Sequence, residues 1–260
     1  MRPYQLWISF YTMLRKDIVR MFRIWVQTFL PSVITSVLYF TIFGTVLGSR
    51  IGEMQGVDYM TFVVPGLVML AIVTTSYANT SFMFFASKFF ARSVDEILVS
   101  PTPPWLLVGG FAAGGVVRGV LVGALVLIVS VFFTGLSLSI HNVLVIFGFA
   151  ILTALVFALA GLVNGIYAKS IDGINIVPTF ILTPLVYLGG IFYSVHNLPD
   201  WWQAITYANP LFYLVNGFRY GFLGITDIPL SVSLAVLLGM TALLATVNWY
   251  FIRTGLGLRQ

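Results

Sequence analysis

Long apolar runs alternate with short polar segments along the whole chain. Several runs exceed the ~18 uncharged residues that mark a membrane-spanning helix. We predict six such spans, at about 24–48, 60–86, 106–134, 142–168, 174–192 and 229–252. The strands of a membrane barrel would instead alternate polar and apolar side chains in pieces of about ten residues. The predicted fold class is therefore an all-α integral membrane protein.

Composition strengthens this assignment and excludes several chemistries. Of the 260 residues, 59% are hydrophobic, which is more apolar surface than a soluble domain of this length can bury. The chain has no cysteine, so it has neither a disulfide nor a thiol metal site. His141 and His196 are lone loop residues without ligand spacing, so we expect no bound metal. In a membrane chain the net charge of +5 reports topology rather than binding to nucleic acid.

Residues 3–23 precede the first span and predict an amphipathic helix. Aromatic and aliphatic side chains fall on one helical face, and polar or basic ones, with Lys16, Arg20 and Arg23 among them, fall on another. One interpretation is a helix that lies in the membrane interface with its basic face toward lipid phosphates. The alternative is a basic flank that only sets topology. Both place this segment in the cytoplasm, beside the membrane lipids.

Residues 193–228 are apolar enough to suggest a seventh crossing, but the positive charges argue against one. With six crossings both termini and nearly all lysines and arginines are cytoplasmic, and only Arg50 and Arg219 lie outside. We therefore predict an extracytoplasmic re-entrant helical hairpin over 193–228, broken at Asn209-Pro210. Broken backbone at membrane depth is tolerated where protein or a wet cavity covers it, so the hairpin should line something.

A compact charged segment interrupts the apolar pattern at 88–104, the predicted cytoplasmic loop between the second and third spans. Ser93 and Glu96 have the spacing of a capping box, which starts a short helix that ends before Pro101. Its apolar side carries Val94, Ile97 and Leu98. Such a helix is either a simple turn between spans or a surface that docks a partner. Because a turn needs only a few residues, we expect docking.

The chain shows no energy source of its own. It has no G-x-x-x-x-G-K-[ST] phosphate loop. No Asp or Glu lies within a predicted span, so the usual groups of a proton- or sodium-coupled relay are missing. We therefore expect a partner to supply the work.

Several segments together resemble the type-2 ABC exporter permeases. YANPLFYLVNGFRYGFLG at 207–224, preceded by PTFILTPLVYLGGIFYSVHNLPDWW at 178–202, is similar to that family's pattern: a Gly-aromatic pair, an LP-x-W segment, an N-P-aromatic stretch and a Phe-Arg. RSVDEILVSPTPPW resembles the segment with which the family contacts its ATPase. The likeness covers essentially the whole chain, 1–260, which would then be a single transporter domain. It is similar to small permeases of the bacterial inner membrane whose substrate is poorly defined.

The resemblance implies a homodimer of this chain paired with two ABC ATPase subunits. Those partners would bind ATP and magnesium, whereas this chain would bind no cofactor and catalyse no reaction. The resemblance also implies a coupling helix at 94–99 and a hairpin that closes the pathway. The coupling residues are then Phe89, Arg92, Ser93, Val94, Asp95, Glu96, Ile97 and Leu98. The hairpin or pathway residues are Asn209, Pro210, Tyr213, Phe218 and Arg219.

Arg118 is a charge within the third predicted span. Either it snorkels inward or bonds backbone carbonyls, or it contacts an anionic lipid or substrate headgroup, which a guanidinium binds in a forked geometry. The second span is also unusually polar, and its side chains either line a path or bond back onto their own helix. They are Thr74, Thr75, Ser76, Asn79 and Thr80.

These features predict the permease subunit of an ATP-driven exporter. Its cargo would be an amphipathic or lipid-linked molecule, such as a drug, a lipid or a glycan, leaving the cytoplasm or the inner leaflet. The alternative is a membrane channel or lipid scramblase that acts without ATP, which would leave the capped cytoplasmic helix unexplained. A third reading, a non-transporting assembly subunit, has no need for a broken hairpin.

Overall fold

The computed structural model describes residues 2–90, 96, 101–134 and 140–257. Within these ranges the regular secondary structure is helical apart from one antiparallel pair of short strands, β1 (Glu53–Met54) and β2 (Val57–Asp58). The helices are α1 (Pro3–Arg23), α2 (Trp25–Tyr39, continued by a π-helix over Phe40–Gly48 and a turn over Ser49–Ile51), α3 (Tyr59–Phe89), α4 (Pro104–Thr134), α5 (Val143–Tyr167), α6 (Ile171–Tyr187), α7 (Asp200–Ala208), α8 (Pro210–Leu223) and α9 (Leu230–Thr254). One 3-10 turn spans Val195–Asn197. The predicted helical class is confirmed.

Among the described residues, five helices are long and apolar enough to cross a membrane: α2 with its continuation, α3, α4, α5 and α9. Their ends lie within three residues of the corresponding predicted spans. The agreement has a local cause, because an uncharged run can continue as helix only until polar or helix-breaking residues end it.

Short polar side chains and glycines fix the helix ends. Oxygens of the Asp58, Asn142 and Ser170 side chains accept hydrogen bonds from the first-turn amides of α3, α5 and α6. At the other end, α8 and α9 stop at Gly224 and Gly255, whose φ angles are 69° and 72°. Glycine is favoured there because the left-handed conformation strains other residues.

The helix α3 is the centre of the bundle and packs against both α4 and α5. Of the residues in its most apolar stretch 72% are buried, compared with 12% for α2 and 11% for α9. Glycines make the close approach possible: a methyl group at Gly119 of α4 would overlap Ser76, and one at Gly161 of α5 would overlap the Tyr77 carbonyl. Small residues at helix contacts let backbones meet in this way. The outer faces of α2 and α9 are left for lipid or another protein.

The helix observed at the fifth predicted span ends before its apolar run does. The sequence predicts 174–192, but α6 ends at Tyr187 and is interrupted by a five-residue π-helical turn that begins at Pro178. Neither Pro178 nor Pro184 supplies the N–H that a regular helical ladder requires. Beyond the helix, Gly190 reverses the chain at a φ of 71°. The apolar residues after Tyr187 therefore form a turn rather than more helix.

The predicted break at Asn209-Pro210 is confirmed. It separates α7, of 9 residues, from α8, of 14 residues. The longer α8 is largely buried against α3, α5 and α9. The helix α8 therefore belongs to the packed bundle, whereas Thr206 is the one buried residue of α7.

The predicted coupling segment lies largely outside the described residues. The helix α3 ends at Phe89 and α4 begins at Pro104, and between 91 and 100 only Glu96 is described. A helix at 94–99 and its capping box therefore stay predictions.

Candidate functional site

Three helices meet at the intramembrane charge. Arg118 of α4 donates a 2.9 Å hydrogen bond from Nη1 to Oδ1 of Asn79 on α3. The same oxygen accepts a longer bond of 3.4 Å from Nη2 of Arg20 on α1. One of the two interpretations of residues 3–23 places Arg20 on a face toward lipid phosphates. In the structure its side chain instead reaches α3, and its guanidinium carbon lies 5.9 Å from the Phe82 ring centre. We call Asp17, Arg20, Asn79 and Arg118 the arginine cluster.

Asp17 joins this cluster because α1 packs along α4 at two glycines. Met13 lies against Gly110 and Asp17 lies against Gly114, so over this turn the two helices run side by side in the same direction. Any side chain at Gly114 would overlap the Asp17 carboxylate. The sequence analysis did not identify this acid, although its position four residues after Met13 on an amphipathic helix marks it as part of a packing face.

The environment of Asp17 is mostly desolvating. Burial raises the pKa of its carboxyl above the ordinary value, while the nearby charges of Arg20, Lys16 and Arg118 and the side chain of Asn79 oppose that rise. With Asp17 ionised, one carboxylate and two guanidinium groups give the arginine cluster a charge of +1. Protonation of Asp17 would raise it to +2.

The arginine cluster has unused hydrogen-bonding capacity. Among the described residues, the buried Nε atoms of Arg20 and Arg118 have no hydrogen-bond partner, and neither does Oδ1 of Asp17. Buried polar atoms in proteins are nearly always satisfied. The surplus is in donors and positive charge, which suits an anion.

Two joined cavities lie beside α3. The first, which we call the cationic cavity, has a volume of about 410 Å³ and includes Arg20, Asn79, Arg118, Gln27, Ser32 and Thr75 in its lining. The second, the aromatic cavity, has a volume of about 280 Å³ and includes Tyr39, Leu70, Tyr77, Val186 and Tyr187. Thr74 and Ala78 line both. A polar, charged cavity therefore adjoins an apolar one.

The sequence left two roles open for the polar residues of α3, which were to line a path or to bond back onto their own helix. The structure places these residues in different surroundings. Thr74 Oγ1 bonds back to the Leu70 carbonyl at 2.8 Å, yet the residue also lines both cavities. Thr75 and Asn79 line the cationic cavity. Ser76 and Thr80 instead face the glycines of α4. One face of the helix thus serves packing and another serves the cavities.

A third cavity, of about 410 Å³, adjoins α1 on the way to the predicted coupling segment. Its lining includes Met13, Asp17, Glu96, Leu107 and Phe111. Glu96 is exposed. Asp17 therefore belongs both to the arginine cluster and to the lining of this third cavity.

Of the predicted coupling residues, the structure describes Phe89 and Glu96. Phe89 packs on Phe85 with ring centres 4.5 Å apart, whereas the neighbouring Phe90 is exposed. The remaining predicted coupling residues lie outside the described part of the chain: Arg92, Ser93, Val94, Asp95, Ile97 and Leu98.

Side-chain hydrogen bonds hold the bend of the hairpin. Asn209 Oδ1 accepts from the Leu211 amide at 3.0 Å, and Asn209 Nδ2 donates to the Leu185 carbonyl of α6 at 2.6 Å. Pro210 occupies the first position of α8, where the missing N–H has no intrahelical partner to lose. Tyr213 bridges the break by donating from its hydroxyl to the Tyr207 carbonyl at 2.8 Å.

Arg219 lies inside the fold rather than along a cavity described above. Its side chain is 2% exposed. Nη2 donates to the Gly190 carbonyl at 2.7 Å, and the guanidinium carbon lies 3.8 Å from the Phe62 ring centre. Phe218 is equally buried, against Phe222. These two hairpin residues are therefore structural in this arrangement.

Asp227 completes the surroundings of Arg219 and was missed by the sequence analysis. Its Oδ2 lies 3.9 Å from Arg219 Nη1, and its Oδ1 accepts a 2.7 Å hydrogen bond from Gln55 Nε2. The same Gln55 nitrogen donates to Ser194 at 2.7 Å. One signal was available, since Asp227 is the only acidic residue after Asp200. We call Gln55, Ser194, Arg219 and Asp227 the hairpin network.

Among residues 2–90, 96, 101–134 and 140–257, no three His, Cys, Asp or Glu side chains are grouped so that they could hold a metal ion.

Comparisons with known proteins agree with this architecture. Residues 8–223 match the family described as ABC-2 type transporter. The chain is 47% identical over 254 residues to the inner membrane transport permease YadH of Escherichia coli strain K12, with 98% of each chain covered. It is 28% identical over 182 residues to nodulation protein J of Neorhizobium galegae, covering 70% of this chain and 68% of that protein. Nodulation protein J of Rhizobium meliloti strain 1021 is 25% identical over 220 residues, covering 84% and 81%.

Proposed function

Because the chain belongs to the ABC-2 type transporter family, we propose that it is the permease subunit of an ATP-driven exporter in the bacterial inner membrane. The cargo would be an amphipathic or lipid-linked molecule taken from the cytoplasm or the inner leaflet. The observation that carries this proposal is the pair of joined cavities, polar at the arginine cluster and apolar beyond it. The relative that covers nearly the whole chain is itself named a transport permease.

A separate subunit would supply the free energy that drives transport. The sequence has no phosphate loop, so ATP and magnesium would bind to the partner and hydrolysis would occur there. Two ATPase subunits would serve two copies of this chain. The chain itself would catalyse no reaction.

The proposed topology has six crossings with both termini in the cytoplasm. Five of them would be the long apolar helices. The sixth would be α6, whose 17 residues rise about 26 Å, slightly less than a typical hydrocarbon core of about 30 Å. Both α7 and α8 are too short to cross, which supports a re-entrant hairpin. Six crossings also keep Lys88, Lys169 and Arg253 on the cytoplasmic side.

The third cavity supports a mechanical role for α1 in coupling. Glu96 of the predicted coupling segment and Met13 and Asp17 of α1 line it together. A push by the ATPase on the coupling segment would therefore reach α1, which lies directly on α4 at Gly110 and Gly114. The arginine cluster, where α1 meets α3 and α4, would shift with it.

The exposed faces of α2 and α9 support assembly of two copies. Large apolar side chains of α2 are open to the surroundings, including Trp25, Leu30, Ile34 and Leu38. The aromatic cavity is bounded by α2, α3 and α6, so a second copy beside α2 would lie close to it. The transport pathway would run between the two copies.

The first test is native mass spectrometry of the tagged chain, gently extracted from its own cells. Two copies carrying two soluble ATPase subunits are expected. A stable complex without any ATPase would contradict ATP-driven export and would favour a channel or scramblase.

A second test reverses one charge of the coupling segment. Glu96→Lys is expected to reduce ATPase recovered with the membrane subunit several-fold, because charges at a contact rim set register and association. Glu53→Lys is the matched control, since Glu53 is exposed in β1 and does not line the third cavity. Equal ATPase recovery with both variants would remove Glu96 from the coupling surface.

A further inference from the structure

The arginine cluster has the properties of a headgroup site. We propose that Arg20 and Arg118 bind a singly charged, phosphate-type anionic headgroup, and that the joined cavities hold one anionic amphiphile. This inference rests on the proposed function, because it names the chemical class of the cargo of that same site. The headgroup would occupy the cationic cavity, and the apolar body would extend into the aromatic cavity.

Charge is the first argument. The described residues give the arginine cluster two guanidinium groups and one carboxylate, and neither guanidinium forms an ion pair among them. The Asp17 carboxylate packs against Gly114 instead of pairing closely with Arg118. Asp17 supplies one negative charge for two guanidinium groups, so one positive charge is left in excess, and a bound anion of charge −1 would balance it.

Hydrogen-bond geometry is the second argument. A single oxygen, Oδ1 of Asn79, receives one bond from each arginine, at 2.9 and 3.4 Å. This leaves the Nε atoms of Arg20 and Arg118 without partners. A guanidinium presents its N–H groups as a planar fork that matches the oxygens of a phosphate. Two such forks at one cavity favour a phosphate-type group over a neutral polar one.

The shape of the cavities is the third argument. Thr74 and Ala78 belong to both linings, so the two cavities adjoin along α3, with the arginine cluster in one and Tyr39 and Val186 in the other. A free phosphate would fill only the cationic cavity. An amphiphile with an anionic end would fill both, and it would replace water at the apolar surfaces of the aromatic cavity.

The experiment measures lipid binding by the purified full-length chain in detergent, using native mass spectrometry. Phosphatidylglycerol is compared with phosphatidylcholine of the same acyl chains. The wild-type chain should bind phosphatidylglycerol in preference. Arg20→Gln and Arg118→Gln should each weaken that binding about tenfold, and the double variant should abolish the preference, because each removes a charge-assisted contact.

The matched control is Arg23→Gln, which removes the same charge from an exposed position of the same helix. It should bind both lipids as the wild-type chain does. Arg118→Lys should recover part of the preference, because the charge returns without the fork. Ala78→Leu leaves both arginines in place and fills the junction of the cavities, so it should weaken phosphatidylglycerol binding even if an arginine variant fails to fold.

A competition arm separates the two sources of the anionic group. If inorganic phosphate displaces phosphatidylglycerol, the headgroup chemistry alone suffices for binding. If only the lipid binds, the ligand requires its apolar body as well. Equal binding of both lipids by the wild-type chain, or undiminished preference in the folded double variant, would overturn the proposed site.

The outcome is independent of the test of the proposed function. Lipid binding is measured without an ATPase, so a wild-type chain that recovers its ATPase but shows no preference for phosphatidylglycerol would refute the headgroup site alone. Conversely, an arginine-dependent preference in a chain that never recovers an ATPase would refute ATP-driven export and leave the headgroup site intact.

Discussion

A charged side chain inside an apolar bundle is stable only where fixed groups replace water. Arg219 has such groups in the Gly190 carbonyl, the Phe62 ring and the Asp227 carboxylate. Arg118 has fewer: among the described residues Asn79 is its one hydrogen-bond partner, and its Nε, like that of Arg219, has none. The two arginines therefore differ in their surroundings: Arg219 is enclosed by the fold, whereas Arg118 lies in the lining of the cationic cavity.

The hairpin network gives a prediction at this scale. Asp227→Asn should lower the free energy of unfolding by about 3 kcal/mol, because it leaves a buried guanidinium without its counter-charge. Thermal unfolding of the purified chain in detergent measures the change. Asp200→Asn, at an exposed position of the same hairpin, is the control and should change stability little. Similar melting temperatures for both variants would mean that Asp227 does not hold Arg219.

At the scale of elements, α1 is more than a membrane anchor. Its aromatic residues Tyr4, Trp7 and Tyr11 are exposed, as expected of a face that meets lipid. A different face, with Met13 and Asp17, packs on the glycines of α4. The helix therefore has an exposed aromatic face, and its other face reaches the third cavity and the arginine cluster.

This contact predicts a difference between two neighbouring glycines. Gly114→Ala should destabilise the chain by about 1–3 kcal/mol, because the added methyl group overlaps Asp17 and forces α1 away. Gly109→Ala meets no atom within 4 Å and should be neutral or stabilising, since alanine favours a helix more than glycine does. Melting temperatures of both variants measure the difference. If Gly114→Ala is as stable as Gly109→Ala, α1 is not held against α4.

At the scale of the whole molecule, the number of membrane crossings decides which side of the membrane each part of the chain faces. The chain has no cysteine, so single cysteines report accessibility without interference. We expect a membrane-impermeant maleimide to label Asp200→Cys in intact cells, but to label Tyr4→Cys and Lys169→Cys only after the membrane is opened. All three positions are exposed in the fold. Labelling of Lys169→Cys in intact cells would exclude six crossings with cytoplasmic termini.

Some features of the site could be foreseen and others could not. Arg118 is evident as a charge in an apolar run, and Asn209-Pro210 is evident as a break. The shortened α6 was not foreseen, because apolarity alone does not distinguish helix from a turn packed on the bundle. Asp17 and Asp227 were not identified because each contacts residues on other elements of the fold, which sequence patterns do not reveal.

The sequence by itself determined the membrane class, the bounds of the long helices, the break in the hairpin and the lack of a phosphate loop. All of these depend on residues that are neighbours in the chain. Only the tertiary structure decided which side chains meet: Asp17 with Gly114, Arg20 and Arg118 at Asn79, and Arg219 with Asp227. Such meetings depend on the rotation and register of helices that are distant in sequence, which hydropathy does not encode.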